Sequence, residues 1–303
     1  MHLTIAKLIK NIANGKSCDN GKKNYCSVCI LKLAEQIKKK MIQEQFIHFV
    51  LPAFPAKSAN RNKTLSELPD LGEALALNRL QTLMDAIKQC YAPGARLTIC
   101  SDGYVFNDIV GVSDENVAHY KQKLVAMCQD ASLNDIYFFD LLDAYNTNSL
   151  DELRSQLLED YADDINHIKY LVKNNLVEQN LFNGLHRFLY DDFTYLWNDK
   201  TKSQIRKKTH LKTYQTIQRS HAWSNLVKKF FPDAIRLSIH PYSCASSKLS
   251  FQLLPSQNKW ATPWHNVVVK YQHGFELMKK KEAIQLGAKF ISGDSIQQHF
   301  VME

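Results

Sequence analysis

The stretch that decides the fold is Arg96-Leu-Thr-Ile-Cys-Ser-Asp-Gly-Tyr-Val-Phe-Asn-Asp-Ile-Val-Gly111. Its first half reads as a buried strand over 95–101 that ends in small polar residues, Ser101, Asp102 and Gly103. A second apolar run, 104–110, reads as another strand. In open α/β sheets the ligand crevice lies outside the carboxyl ends of the strands, so Ser101 and Asp102 are expected where a substrate is held. Gly103 permits a turn with positive φ, and Asp102 and Asp108 supply two acids for proton transfer. Cys100, in strand register, reads as a small buried residue rather than a nucleophile.

Outward from that stretch the chain alternates helical and strand signals. A helix is expected over 1–14, a Gly-, Asn- and Lys-rich loop over 15–25, and a second helix over 26–49, with Ile30, Leu33, Ile37 and Met41 near helical spacing. Leu51-Pro-Ala-Phe-Pro-Ala-Lys-Ser-Ala-Asn-Arg-Asn-Lys63 carries two prolines and reads as a long loop of the kind that is often functional. Asp70 with Glu73 has capping-box spacing and starts a helix to about Cys90. A helix over 113–129, a strand over 134–142, helical stretches over 149–198 and 203–229, and strands at 234–240, 248–254, 264–271, 274–278 and 288–291 follow. This order predicts an α/β fold, its central sheet mostly parallel with some antiparallel strands. The expected organisation is a helical N-terminal extension, 1–49, and a single catalytic domain, 50–303, with a helical insertion at about 145–230.

Composition narrows the function classes. The 303 residues are 45% hydrophobic, enough for a sizeable core, and no apolar run approaches the roughly 18 to 20 residues of a membrane span. The N-terminus lacks a signal-peptide core, so a cytoplasmic, soluble protein with no membrane partner is expected. A formal charge of +8 favours an anionic partner: nucleic acid, a phosphorylated metabolite or an acidic protein. No recognised nucleic-acid module accompanies the charge, and nucleic acid is not expected as a partner. Seven cysteines without a secretion signal read as thiols. Cys18, Cys26 and Cys29, with His48 as a fourth ligand, form only an incomplete zinc signature, and no metal site is assigned. There is no G-x-G-x-x-G, Walker A, G-x-S-x-G or H-E-x-x-H motif.

Four segments concentrate polar groups that folding alone does not require. The loop offers Lys57, Ser58, Asn60 and Lys63, which could bind a phosphate or supply an imine-forming lysine; an exposed basic loop is the plainer alternative. Cys100 to Asp108 is the second. Arg219 and Trp223, four apart on one helix face, could form an anion clamp with an aromatic wall, or a surface cation–π pair. The fourth comprises Arg236, Ser238 and His240, which alternation puts on one strand face, with Lys248 and with His265 after Trp264. His240 and His265 sit at strand termini beside proline, where an imidazole can reach a crevice.

These same blocks resemble the isonitrile (isocyanide) synthase family, also called the pyoverdine/dityrosine biosynthesis family. The resemblance rests on Leu51-Pro-Ala-Phe-Pro-Ala-Lys-Ser-Ala-Asn60, Leu68-Pro-Asp-Leu-Gly-Glu73, Cys100-Ser-Asp-Gly-Tyr-Val-Phe106, Arg219-Ser-His-Ala-Trp223, Arg236-Leu-Ser-Ile-His-Pro241 and Thr262-Pro-Trp-His265, in one order over about residues 50–270. It implies a Rossmann-like central sheet and an enzyme that turns the α-amine of tyrosine or tryptophan into an isonitrile. The carbon would come from C2 of ribulose 5-phosphate, with no cofactor. It further implies that Lys57, Lys63, Arg219 and Lys248 include the phosphate and carboxylate partners. Ser58, Ser101, Arg236 and Ser238 would join them in binding substrate. His240, His265, Asp102, Asp108 and Lys63 would include the acid and base, and Phe106, Trp223 or Trp264 would wall the ring. A downstream iron and 2-oxoglutarate oxygenase acting on the product is the expected partner. The competing readings are a phosphosugar lyase or aldolase with a lysine imine, and a non-catalytic basic binding protein.

Overall fold

Two amphipathic helices open the chain, α1 (His2–Ala13) and α2 (Ser27–Ile42). The computed structural model describes residues 1–13, 27–147, 149–240 and 247–302. Ile5 and Ile9 of α1 and Ile30, Leu33 and Ile37 of α2 are buried in the main core, so these helices are part of it rather than an appendage. The helix expected to run to 49 stops at Ile42. Ile47–Pro52 is instead β1, because its β-branched and aromatic residues pair on both sides, with β2 (Ala95–Cys100) and with β4 (Ile235–Ser238). Between β1 and β2 runs α3 (Leu71–Lys88), started by the expected capping box of Asp70 and Glu73.

The second apolar run of the opening stretch is not a strand. It is α4 (Gly103–Val110), closed by Gly111 in the left-handed region at φ 78°. A short helix packed on several sides is apolar nearly all round and so loses the periodicity that would distinguish it from a strand. Next come α5 (Asp114–Asp130), β3 (Ile136–Phe139) and the single turn α6 (Leu141–Ala144). A run of four helices follows: α7 (Leu150–Tyr161), α8 (Ile165–Asn174), α9 (Leu176–Leu196) and α10 (Lys202–Phe230). The chain returns through β4 to the two-residue β5 (Leu249–Ser250).

The five strands are all parallel, in the order β3-β2-β1-β4-β5. Phe49, Val50, Leu51, Leu97 and Ile99 are fully buried, as strands covered by helices on both faces must be. The antiparallel pairs expected beside this sheet occur in a separate, mixed one: β6 (Val267–Tyr271), β7 (Gly274–Met278), β8 (Lys289–Ile291) and β9 (His299–Val301), ordered β7-β6-β9-β8, in which β6–β7 and β8–β9 are antiparallel and β6–β9 parallel, with α11 (Lys280–Gln285) between β7 and β8. No helix among the described residues is long and apolar enough to cross a membrane.

Strand order reverses between β1 and β4, since the chain leaves β1 toward β2 and β3 on one side and toward β5 from β4 on the other. That switch point is where an open parallel sheet leaves a crevice at its carboxyl edge.

Candidate active site

The loop after β1, the turn after β2, the end of β4 and the segment before β6 converge on this crevice. Phe54 adopts φ 59°, and its carbonyl accepts a hydrogen bond from Ser101 Oγ at 2.9 Å, which ties the first two together. Gly103 is not required for a positive φ, as expected from the sequence, but for room. A Cβ there would lie 2.2 Å from the Pro55 carbonyl oxygen and 2.7 Å from Val117.

Lys57 is turned inward. Its ammonium sits 2.7 Å from Asp70 and 2.8 Å from Glu73 and donates to the Pro263 carbonyl at 2.9 Å, with the side chain fully buried. Burial opposes its charge, but Asp70 and Glu73 outweigh that and hold it above an ordinary lysine. Glu73, which also accepts from the Tyr120 hydroxyl at 3.0 Å, is pushed by burial to about 7 despite the lysine. The three donors of Lys57 are therefore all engaged, which makes it a tie between the loop, α3 and the 263–265 turn rather than a phosphate ligand.

Lys63 faces the other way. It is 2.8 Å from Asp191 and 2.7 Å from Asp192 on α9, and it lies 4.3 Å above the Phe188 ring. Asp192 also accepts from Asn60 Nδ2 at 3.0 Å. Phe188 in turn meets His265 edge to face at 4.6 Å. Nothing in the sequence pointed to Asp192 or Phe188, because aromatics recur around their helix and its spacing singles out no site-facing side.

His265 follows the buried Trp264, whose carbonyl accepts from the Ser58 amide at 3.0 Å. Its Nδ1 pairs with Thr262 Oγ1 at 3.1 Å. Burial, then the charges of Lys63 and Lys57 and the neighbouring His240, lower its pKa to about 3. His240 lies 4.9 Å from the Trp260 ring, and its Nδ1 is sealed from solvent with no hydrogen-bond partner among the described residues. Burial and then the Lys248 charge bring it to about 4. Ser238 Oγ accepts from the His240 amide at 3.1 Å, so it orients that turn. Asp102, next to Ser101, is partly open as a residue. Its Oδ1 is nevertheless sealed and without a partner among the described residues, and burial raises the carboxyl to about 7.

Other expected residues lie elsewhere. Asp108 pairs with Arg219, whose guanidinium also donates to the Val105 carbonyl at 2.9 Å, so the two lock α10 to α4. Arg154 of α7 joins that lock, donating to the Tyr104 carbonyl at 3.0 Å. Trp223 is buried and stacks on Phe139 at 5.9 Å, and Trp264 packs on Phe54 at 5.2 Å, so both act as core. Phe106 is half-buried against the main core. Arg236 is tied to α10 by a 3.0 Å bond to the Ser224 carbonyl. Trp260, 57% exposed over His240, is the better candidate for an aromatic wall.

Of the incomplete zinc signature, Cys18 and Cys26 lie outside the described residues. His48 is occupied with Thr98 Oγ1 at 2.9 Å, and no group of three metal-ligating side chains occurs among the described residues.

The crevice thus holds two neutral imidazoles, a carboxyl poised near neutrality, and the cations Lys63 and Lys248. Groups of these kinds are the ones that proton transfer beside an anion requires.

Residues 37–291 match the model of the pyoverdine/dityrosine biosynthesis protein family. The chain is 42% identical to the L-tryptophan isonitrile synthase AmbI2 of Fischerella ambigua, over 91% of this chain and 83% of that one. It is 36% identical to the L-tyrosine isonitrile synthase of Xenorhabdus nematophila, over 88% and 81%. The crystal structure of PvcA from Pseudomonas aeruginosa superposes with a TM-score of 0.90 at 31% identity, covering 100% of both chains. The chain belongs to the pyoverdine/dityrosine biosynthesis family and is an enzyme of its isonitrile synthase class.

Proposed function

We propose that this enzyme converts the α-amine of an aromatic amino acid, tryptophan or tyrosine, to an isonitrile, drawing the carbon from C2 of ribulose 5-phosphate. The amine would attack the C2 ketone and lose water to give an imine. Proton transfers, departure of phosphate and cleavage of the remaining sugar carbons would follow. Each proton transfer needs a group that can hold or release a proton near neutral pH, and each anion needs a cation.

The observation that supports the reading is that the end of β2 with Asp102, the end of β4 with His240 and the 262–265 segment with His265 all lie at the carboxyl side of the switch point, with Lys63 over the ring that meets His265 and the Lys248 charge felt by His240. Asp102, with a pKa near 7, is suited to alternate between acid and base. The two imidazoles, lowered by burial, are neutral at pH 7 and are suited to accept protons. Lys63 and Lys248 would be the cations that meet phosphate and carboxylate, and Trp260 would be the ring wall. The names of the tryptophan and tyrosine synthases among its relatives support an aromatic substrate. The enzyme would act in the cytoplasm, and an iron and 2-oxoglutarate oxygenase would take its product.

The test is mass spectrometry of the purified protein incubated with ribulose 5-phosphate and each amino acid in turn. The expected product carries one added carbon in place of two amine hydrogens. Recovery of unaltered tyrosine and tryptophan would end the proposal, and sugar cleavage without an amino acid would favour the lyase reading.

A further inference from the structure

The two adjacent acids of α9 treat Lys63 differently. Asp192 is held: its carboxylate is 5% exposed, and the oxygen that meets Lys63 at 2.7 Å also accepts from Asn60 Nδ2 at 3.0 Å, with Ser58 Oγ at 3.5 Å. Asp191 is loose: its carboxylate is 65% exposed, and among the described residues its polar contact is the 2.8 Å one with Lys63. One ammonium therefore faces two carboxylates, a local charge of minus one, above the Phe188 ring that meets His265. A substrate anion approaching Lys63 gains little while both acids remain.

We propose that Asp191 is an exchangeable counter-ion that yields Lys63 to the anionic group of the substrate, while Asp192 stays in place as the positioning residue that aims Lys63 and its loop at His265. The proposal rests on the reading that Lys63 meets a substrate anion. Leaving costs Asp191 little, since water replaces the ammonium at an exposed carboxylate. Asp192 cannot leave without stripping partners from Ser58, Asn60 and Lys63 together, each of them buried or nearly so. The exchange is also local. Lys63 lies over Phe188, and Phe188 touches His265, so the ammonium can turn toward a ligand beside the imidazole without moving the loop. The anion could be the phosphate of the sugar or the carboxylate of the amino acid, and the two are separated by which KM responds.

The test is steady-state kinetics of Asp191→Asn, Asp192→Asn and Lys63→Met, with KM measured for each substrate separately. Removing a competing exposed carboxylate should lower the KM of the substrate that meets Lys63 by about two- to fivefold and raise its kcat/KM, with less effect at high salt. Asp192→Asn should lower kcat/KM by about tenfold or more, with partial rescue by Asp192→Glu. If Lys63→Met leaves both KM values unchanged, the reading of Lys63 as an anion partner falls. If Lys63→Met raises one KM but Asp191→Asn leaves that KM unchanged or raises it, the exchange alone is overturned. Should Asp192→Asn fail to fold, Asn60→Ala tests the anchor, and wild-type kinetics in that variant would count against it.

Discussion

Replacing Lys57 by methionine separates a structural role for this lysine from a chemical one. The substitution keeps the stem and removes the ammonium, leaving Asp70 and Glu73 buried without their cation and the Pro263 carbonyl without a donor. Breaking a buried ion pair by deleting one partner costs about 3–5 kcal/mol. That is a third or more of the stability of many domains, which is about 5–15 kcal/mol. Glu73 is already raised to about 7, and losing the lysine raises it further. A carboxyl whose folded pKa exceeds its unfolded value destabilises progressively as pH rises from the unfolded pKa toward the folded one. The deficit should therefore be larger at pH 8 than at pH 5. The assay is urea unfolding of wild type and variant at both pH values, with borohydride trapping in the presence of ribulose 5-phosphate as a companion. A loss below about 1 kcal/mol would refute the buried tie. Sugar trapped on Lys57, with the urea midpoint of the variant unchanged, would make Lys57 an imine former instead.

Asp102→Asn should reduce kcat by about 10²- to 10⁴-fold and abolish the limb of the pH–rate profile near 7, without lowering the melting temperature, because the amide removes a poorly solvated charge. An unchanged profile would exclude Asp102 from proton transfer. Acid should unfold the protein through His240 and His265: their folded pKa values, about 4 and about 3, lie below the unfolded 6.5, so the unfolded chain binds more protons and stability is lost as pH falls from 6.5. Each imidazole accounts for about 2 kcal/mol between pH 6.5 and 5, and His265→Gln should flatten the fall seen in urea midpoints, whereas an identical slope would contradict it. Gly103→Ala places a methyl 2.2 Å from the Pro55 carbonyl and should cost about 1–3 kcal/mol together with activity; a wild-type melting temperature would show that the loop yields.

Much of the fold was legible because parallel strands buried on both faces read as apolar runs. Leu97 to Cys100 announced itself that way, and the small polar residues after it marked the crevice. The run after Gly103 reads as a strand for the same physical reason, since a helix enclosed by others is as apolar as a strand. The start of β1 was hidden because its apolar residues continue the stripe of α2. Within the site, His240 and His265 could be found from strand ends and prolines. The inward turn of Lys57 could not, because it depends on a capping box that the sequence does reveal but does not connect to the loop. Asp192 and Phe188 depend wholly on where α9 lands, and helical spacing carries no trace of that.

The reaction turns on the origin and destination of one carbon. The most direct measurement is ¹³C NMR of the product formed by this enzyme from ribulose 5-phosphate labelled at C2 and an unlabelled aromatic amino acid. The label is expected in the isonitrile carbon bonded to the former α-amine nitrogen. An isonitrile without label, or label retained in a sugar fragment while the amine stays intact, would contradict it.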